Sequence, residues 1–207
     1  MAITTYSELQ TAIQNWLFDR TDLASVIPDF IALTEADMNT RIRHWRMEKR
    51  STAEIDTQYS AIPADMLEPI RFYLTTAPTG PIELVSQMEM LQLRESVADT
   101  SARPKYYAIT AGEIEVVPTP SGTFNAELYY YASIPALSDS NTTNWVLTYF
   151  PNAYLYGALI HAAPYIEEDA RLQMWVSLYG EAINAINKES EDTKFGGAGR
   201  RIKIRSF

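Results

Sequence analysis

Apolar side chains recur at Tyr6, Leu9, Ile13, Trp16 and Leu17, three and four residues apart, which is the period of one helix face. Thr5 with Glu8 three positions on forms a capping-box pair, so the pattern predicts a first helix over 6–19. After the polar break 19–22, Pro28 suits a first helical turn, and Ile27, Ile31, Thr34, Met38, Ile42 and Trp45 form a second stripe. Its opposite face carries Glu35, Asp37, Arg41 and Arg43, which reads as the solvent side.

From about 46 to 135 the helical stripes give way to prolines at 63, 69, 78, 81, 104, 118, 120 and 135, the signature of a β-rich segment. Runs 70–75 and 82–85 flank a Pro-Gly turn. Runs 106–110 and 113–117 flank Ala111-Gly112, whose two-residue length suits a tight hairpin. Phe124, Ala126, Leu128 and Tyr130 alternate along 124–132, and three strands on short turns predict an antiparallel meander. Ser86 and Glu89 cap a short intervening helix carrying Met88, Leu91 and Leu93.

Helical spacing returns after the polar linker 138–144. Pro151 opens a helix with an apolar face of Tyr154, Leu155, Ala158, Leu159 and Ala162, and Pro164 ends or kinks it. A last helix is predicted over 167–189, with Glu167, Glu168 and Asp169 at its positive end and a stripe of Leu172, Trp175, Val176, Tyr179, Ile183 and Ile186. The expected class is α+β: a helical bundle from the two ends of the chain (1–45 and 138–190), an inserted antiparallel β-rich lobe (46–137), and a flexible C-terminal tail (191–207).

Composition narrows what such a fold can do. With 207 residues, 46% hydrophobic and 21% charged, the chain has the makings of a sizeable core. The absence of cysteine excludes disulfides, thiolate nucleophiles and thiolate-bound metals. No run approaches the roughly 20 apolar residues of a membrane span, and no signal-peptide pattern opens the chain, so it reads as soluble and unprocessed, without a membrane partner. A net charge of −9 argues against a body that coats nucleic acid. Thirteen tyrosines and four tryptophans suit either contacts with neighbouring subunits or a tyrosine-rich sheet surface.

Candidate chemistry is sparse. His44 and His161 have no ligand-spaced companions, so neither metal nor cofactor is expected. Glu113/Glu115 and Glu167/Glu168 are the acid pairs available for proton transfer, the first beside a tight turn and the second explained by helix capping. No phosphate loop, dinucleotide fingerprint, G-x-S-x-G or H-E-x-x-H occurs, so no enzyme is expected and there are no catalytic candidates. Arg41, Arg43, Arg46, Lys49 and Arg50, with Trp45 among them, form a basic patch. It reads as a surface for single-stranded nucleic acid or as a salt-bridged or subunit-facing surface.

The chain's basic character is concentrated at its end. Residues 196–207 hold four cations and no acid, and Ile202 and Ile204 alternate with Lys203 and Arg205 as they would in a strand. The segment is expected to be disordered alone and ordered on a partner, adding to the edge of another protein's sheet, with Phe195, Arg200, Arg201, Ile202, Lys203, Ile204, Arg205 and Phe207 as contacts.

Five stretches in order carry a family likeness: Ile62-Pro63-Ala64-Asp65-Met66-Leu67-Glu68; Arg103-Pro104-Lys105-Tyr106-Tyr107; Val117-Pro118-Thr119-Pro120; Tyr129-Tyr130-Tyr131 with Ile134-Pro135-Ala136-Leu137-Ser138; and Pro151-Asn152-Ala153-Tyr154-Leu155-Tyr156-Gly157-Ala158-Leu159 with Ala162-Ala163-Pro164-Tyr165. The chain resembles the head-to-tail adaptor (connector, or head-completion) proteins of tailed bacteriophages over roughly 59–187. The resemblance implies a non-enzymatic virion subunit of the neck, made in the host cytoplasm and forming a homo-oligomeric ring, twelvefold to match the portal. Its implied partners are the portal protein, a tail or tail-terminator (nozzle) protein, further copies of itself, and DNA that passes the channel without specific binding. It further implies that the C-terminal segment docks on the portal. The rival readings are a virion-associated enzyme such as a cell-wall hydrolase, and a DNA-binding module using the 41–50 patch.

Overall fold

The computed structural model describes residues 3–96, 101–166 and 171–196. They fall into two units: one holds the described residues up to Arg46 and from Ile134 onward, the other Met47–Ser133.

In the first unit α1 (Tyr6–Trp16) starts on the capping box its sequence predicts. The Glu8 N–H donates to Thr5 Oγ1 at 3.3 Å, and Glu8 Oε2 accepts from the Thr5 N–H at 3.1 Å. The helix stops three residues short of the expected end because Phe18 and Asp19 take left-handed φ values of 59° and 54°. Helix α2 (Ile27–Arg41) carries Pro28 in its first turn and buries Ile27, Phe30, Ile31, Thr34 and Met38. Its stripe does not reach Trp45 as expected. Ile42 is already extended, and an α6 side chain takes over the helix end, as described below. Glu35, expected on the solvent face, is buried.

Helices α4 (Trp145–Tyr149) and α5 (Pro151–Ala162) follow the 138–144 linker, α4 being a short helix that the apolar spacing does not set apart. Asn144 caps it, accepting from the Leu147 N–H at 2.9 Å. Helix α5 packs against α1, α2 and α6. The close approach requires Gly157: a Cβ there would overlap the Thr34 methyl and stand 3.1 Å from the Tyr179 ring. Helix α6 (Leu172–Phe195) runs six residues beyond the predicted end, so 191–195, expected as flexible tail, are helical. Residues 190–195 contain no glycine or proline, and the last turn closes with the Gly196 N–H on the Asp192 carbonyl at 2.7 Å. The predicted acidic start at Glu167, Glu168 and Asp169 lies outside the described residues.

The second unit is a seven-stranded sheet in the order β1-β7-β3-β4-β5-β6-β2, with one helix, α3 (Gln87–Ser96). The strands are β1 (Glu48–Ile55), β2 (Tyr59–Ala61), β3 (Met66–Leu74), β4 (Gly80–Leu84), β5 (Tyr106–Thr110), β6 (Glu113–Val117) and β7 (Phe124–Ala132). The Ala111-Gly112 hairpin is present, both residues at positive φ as a two-residue turn demands. The predicted meander is not: β7 leaves β6 and lies between β1 and β3. Nor is the sheet wholly antiparallel, since β4 and β5 run parallel. The α3 crossover between them supplies the long connection a parallel pair requires. Phe72, Leu74, Tyr107, Ile114, Val116, Leu128 and Tyr130 are among the residues of its core. On α3 the buried residue is Met90, while Met88 and Leu91, read as its apolar face, are exposed.

Candidate functional site

The expected basic patch is dispersed among internal partners. Arg41 Nε lies 2.9 Å from Asp37 Oδ1, whose other oxygen accepts from the Tyr179 hydroxyl at 2.7 Å. Arg43 donates to the Asn39 and Ile42 carbonyls at 2.8 and 2.7 Å. The Arg46 guanidinium sits 3.7 Å from the Tyr149 ring centroid and 4.7 Å from that of Trp45, with Glu189 at 4.0 Å. In the second unit Lys49 pairs with Asp65 at 2.6 Å and Arg50 with Glu127 at 3.5 Å. Every one of the five cations therefore has a partner within its own unit. A strand of phosphates would have to compete for each.

The chain around this patch is held by α6. Asn187 donates through Nδ2 to the Arg41 carbonyl at 3.1 Å and accepts from the Arg43 N–H at 3.1 Å, and Ser190 Oγ accepts from the Trp45 N–H at 3.0 Å. Asn187 and Ser190 stand three apart on one helix face, so one turn of α6 satisfies the backbone that α2 leaves open. His44 is buried and stacks on Trp145 at 4.7 Å, while its Nδ1 accepts from the Arg46 N–H at 3.2 Å. Burial lowers the pKa of His161, against the opposing charge of Asp37. The His44 imidazole is thus packed among aromatic rings.

Of the acid pair Glu113/Glu115, the structure engages Glu115 fully. Its Oε1 accepts from Arg94 at 2.7 Å, Gln58 at 3.1 Å and the Tyr59 hydroxyl at 3.4 Å, and Oε2 accepts from Thr110 at 3.4 Å. A carboxylate with four donors ties α3 and β2 to β6 rather than presenting a free base. Among the described residues no group of three His, Cys, Asp or Glu side chains could hold a metal, and no helix is long and apolar enough to cross a membrane.

Two polar constellations were not legible in advance. Glu35 Oε1 accepts from the Tyr154 hydroxyl at 2.9 Å and from the Leu137 N–H at 2.8 Å, and Asn144 Nδ2 donates to the Tyr154 oxygen at 2.6 Å. Burial pushes the Glu35 carboxyl up, against those two donors. Burial, followed by the charge of Glu35, pushes the Tyr154 phenol up as well. On the sheet, Arg71 lies 4.5 Å from the Tyr129 ring centroid and 5.2 Å from that of Tyr73, and those two rings stack. Cross-strand register places Arg50 opposite Tyr129 on the other side, giving a row Arg50–Tyr129–Arg71. The alternation of 124–132 contained the signal for Tyr129. Its neighbours required knowing that β7 is central.

Of the predicted docking residues, Phe195 is described: it closes α6 with its ring exposed. Arg200, Arg201, Ile202, Lys203, Ile204, Arg205 and Phe207 lie outside the described residues.

The model of one protein family, described as SU10 adaptor protein, matches residues 4–202, nearly the whole chain. This agrees with the resemblance to phage head-to-tail adaptors that the sequence carries. No curated protein matches it.

Proposed function

Because the chain belongs to the SU10 adaptor protein family, we propose that it is a non-enzymatic structural subunit of a tailed-phage neck, forming a ring that joins the capsid portal to the tail and lines the DNA channel. The match over residues 4–202 carries the reading. In this reading the helices of the two chain ends act as one bundle, the Met47–Ser133 unit is a lobe inserted in it, and twelve copies match the portal. The net charge of −9 supports a conduit, because like charge keeps the DNA backbone from adhering. The internal pairing of Arg41, Arg46, Lys49 and Arg50 supports it too, since it leaves fewer cations to brake a passing duplex.

The last residue of α6 and the segment that follows it are the docking element on the portal, with Phe195, Arg200, Arg201, Ile202, Lys203, Ile204, Arg205 and Phe207 making the contacts. Its four cations on an otherwise acidic chain suit a partner with an acidic rim, and ordering on binding suits stepwise assembly. Mixing the purified chain with portal rings and sedimenting them tests the reading. Co-sedimentation is expected, and a chain that stays behind contradicts it.

A further inference from the structure

The second unit carries two exposed surfaces on the same side of its sheet. Phe72, Ile82, Tyr107, Val116 and Leu128 face the core, so Arg71, Tyr73, Glu127 and Tyr129, next to them in β3 and β7, face outward. Helix α3 covers the outward side of β5 and β6, burying Met90 against Ala108 and Val117. The first surface centres on Arg71, whose guanidinium lies over the stacked rings of Tyr73 and Tyr129. Beside it Ile70 is the extra residue of a bulge, since Pro69 pairs with Tyr130 and Arg71 with Tyr129, and it is 44% exposed. The second surface is the outer face of α3. Met88, Leu91 and Glu95 stand three and four positions apart and so share one stripe, with Met88 68% and Leu91 55% exposed.

We propose that α3 of one copy docks on the Arg71 surface of the next, so that these two surfaces join neighbouring subunits of the ring. Charge assigns the occupant. Among the described residues Arg71 has no carboxylate partner and Glu95 no cationic one, so each surface offers what the other lacks. The apolar parts correspond as well: Met88 and Leu91 meet Ile70 and the Tyr129 ring, and a thioether against an aromatic ring is a favourable contact. Tyrosine and arginine already stacked on one another lose little freedom on docking, which suits them as anchors of an interface. Within one chain the two surfaces do not meet, because β4 separates β3 from β5 and the twist of the sheet turns them apart. A contact between two different surfaces is heterologous and propagates in one direction, as a closed ring needs. Nucleic acid suits the Arg71 surface less, since the Glu127 carboxylate sits among its rings, holding the Tyr73 hydroxyl and Arg50. The inference rests on the reading of the chain as a ring subunit.

The chain has no cysteine, so introduced pairs report cleanly. The full-length protein carrying both Ile70→Cys and Leu91→Cys, two exposed positions, is incubated with portal rings and oxidised with oxidised glutathione, beside each single variant. Because each copy then carries both halves of the contact, the double variant is expected to give a ladder of covalent multimers beyond the dimer, at least about tenfold above either single variant. Charge reversal supplies a second readout. Arg71→Glu or Glu95→Arg alone should lower the yield of rings about tenfold, and the two together should restore it to within about twofold. A ring imaged on the portal without a ladder overturns the contact and leaves the ring reading standing. A ladder formed by copies that leave the portal bare supports the contact and sinks the reading of a ring on the portal. Neither ladder nor ring overturns both. A DNA mobility shift that Arg71→Glu abolishes, in a chain that gives no ladder, assigns the surface to nucleic acid instead.

Discussion

The Tyr154 hydroxyl donates to Glu35 Oε1 at 2.9 Å across 119 positions of sequence, in the interior of the helical unit. Because Asn144 donates to the same phenolic oxygen, the linker before α4, the first turn of α5 and the middle of α2 share one polar contact. Tyr154→Phe leaves the Glu35 carboxylate with one donor and Asn144 short of an acceptor. A loss of about 1–3 kcal/mol is expected, measured by denaturant unfolding with an unchanged slope.

Glu35 also sets a pH signature. Its folded pKa is raised above the unfolded one, so its contribution to stability is full below about pH 4.5 and is lost as pH rises through the folded pKa. Glu35→Gln removes that dependence. The Tm of the native chain relative to the variant should therefore fall as pH rises above about 4.5, and a difference that rises with pH contradicts the assignment.

Gly157 marks the tightest helix crossing. Gly157→Ala should cost about 1–3 kcal/mol by forcing Thr34 aside, and adding Thr34→Ser, which removes the obstructing methyl and keeps the hydroxyl, should recover part of it. Gly180 meets nothing within 4 Å, so Gly180→Ala is expected to stabilise α6 by about 0.5–1 kcal/mol. Thermal or denaturant unfolding of the three variants checks both signs.

The paired cations predict weak affinity for nucleic acid. A mobility-shift assay at physiological salt should show no retarded band with single- or double-stranded DNA. A salt-sensitive shift abolished by neutralising Arg41, Arg46 and Arg50 together would favour the DNA-binding alternative.

Features governed by neighbours in the chain were legible beforehand: the Thr5–Glu8 box, the Ala111-Gly112 hairpin, the Pro151 helix start and the stripe from Ile27 to Met38. What was missed depends on distant partners. Strand β1 shows no apolar alternation because Lys49, Ser51 and Ala53, on the side it shares with the buried Ile55, are polar or small. Glu35 reads as a surface acid until Tyr154 and Leu137 supply its donors. The 41–50 patch reads as one cationic cluster because Asp65, Glu127 and Glu189 lie far away in sequence. The family likeness was legible because it rests on ordered turn and packing motifs, which survive without knowledge of any contact.

The central claim is that this adaptor-family chain forms a ring on the portal. Electron cryo-microscopy of portal rings incubated with the full-length protein tests it most directly. The account predicts a closed ring of this chain on the tail-facing side of the portal, in twelvefold register, with density for 197–207 running onto the portal. Bare portals, or a ring whose C-terminal segments make no portal contact, would contradict it.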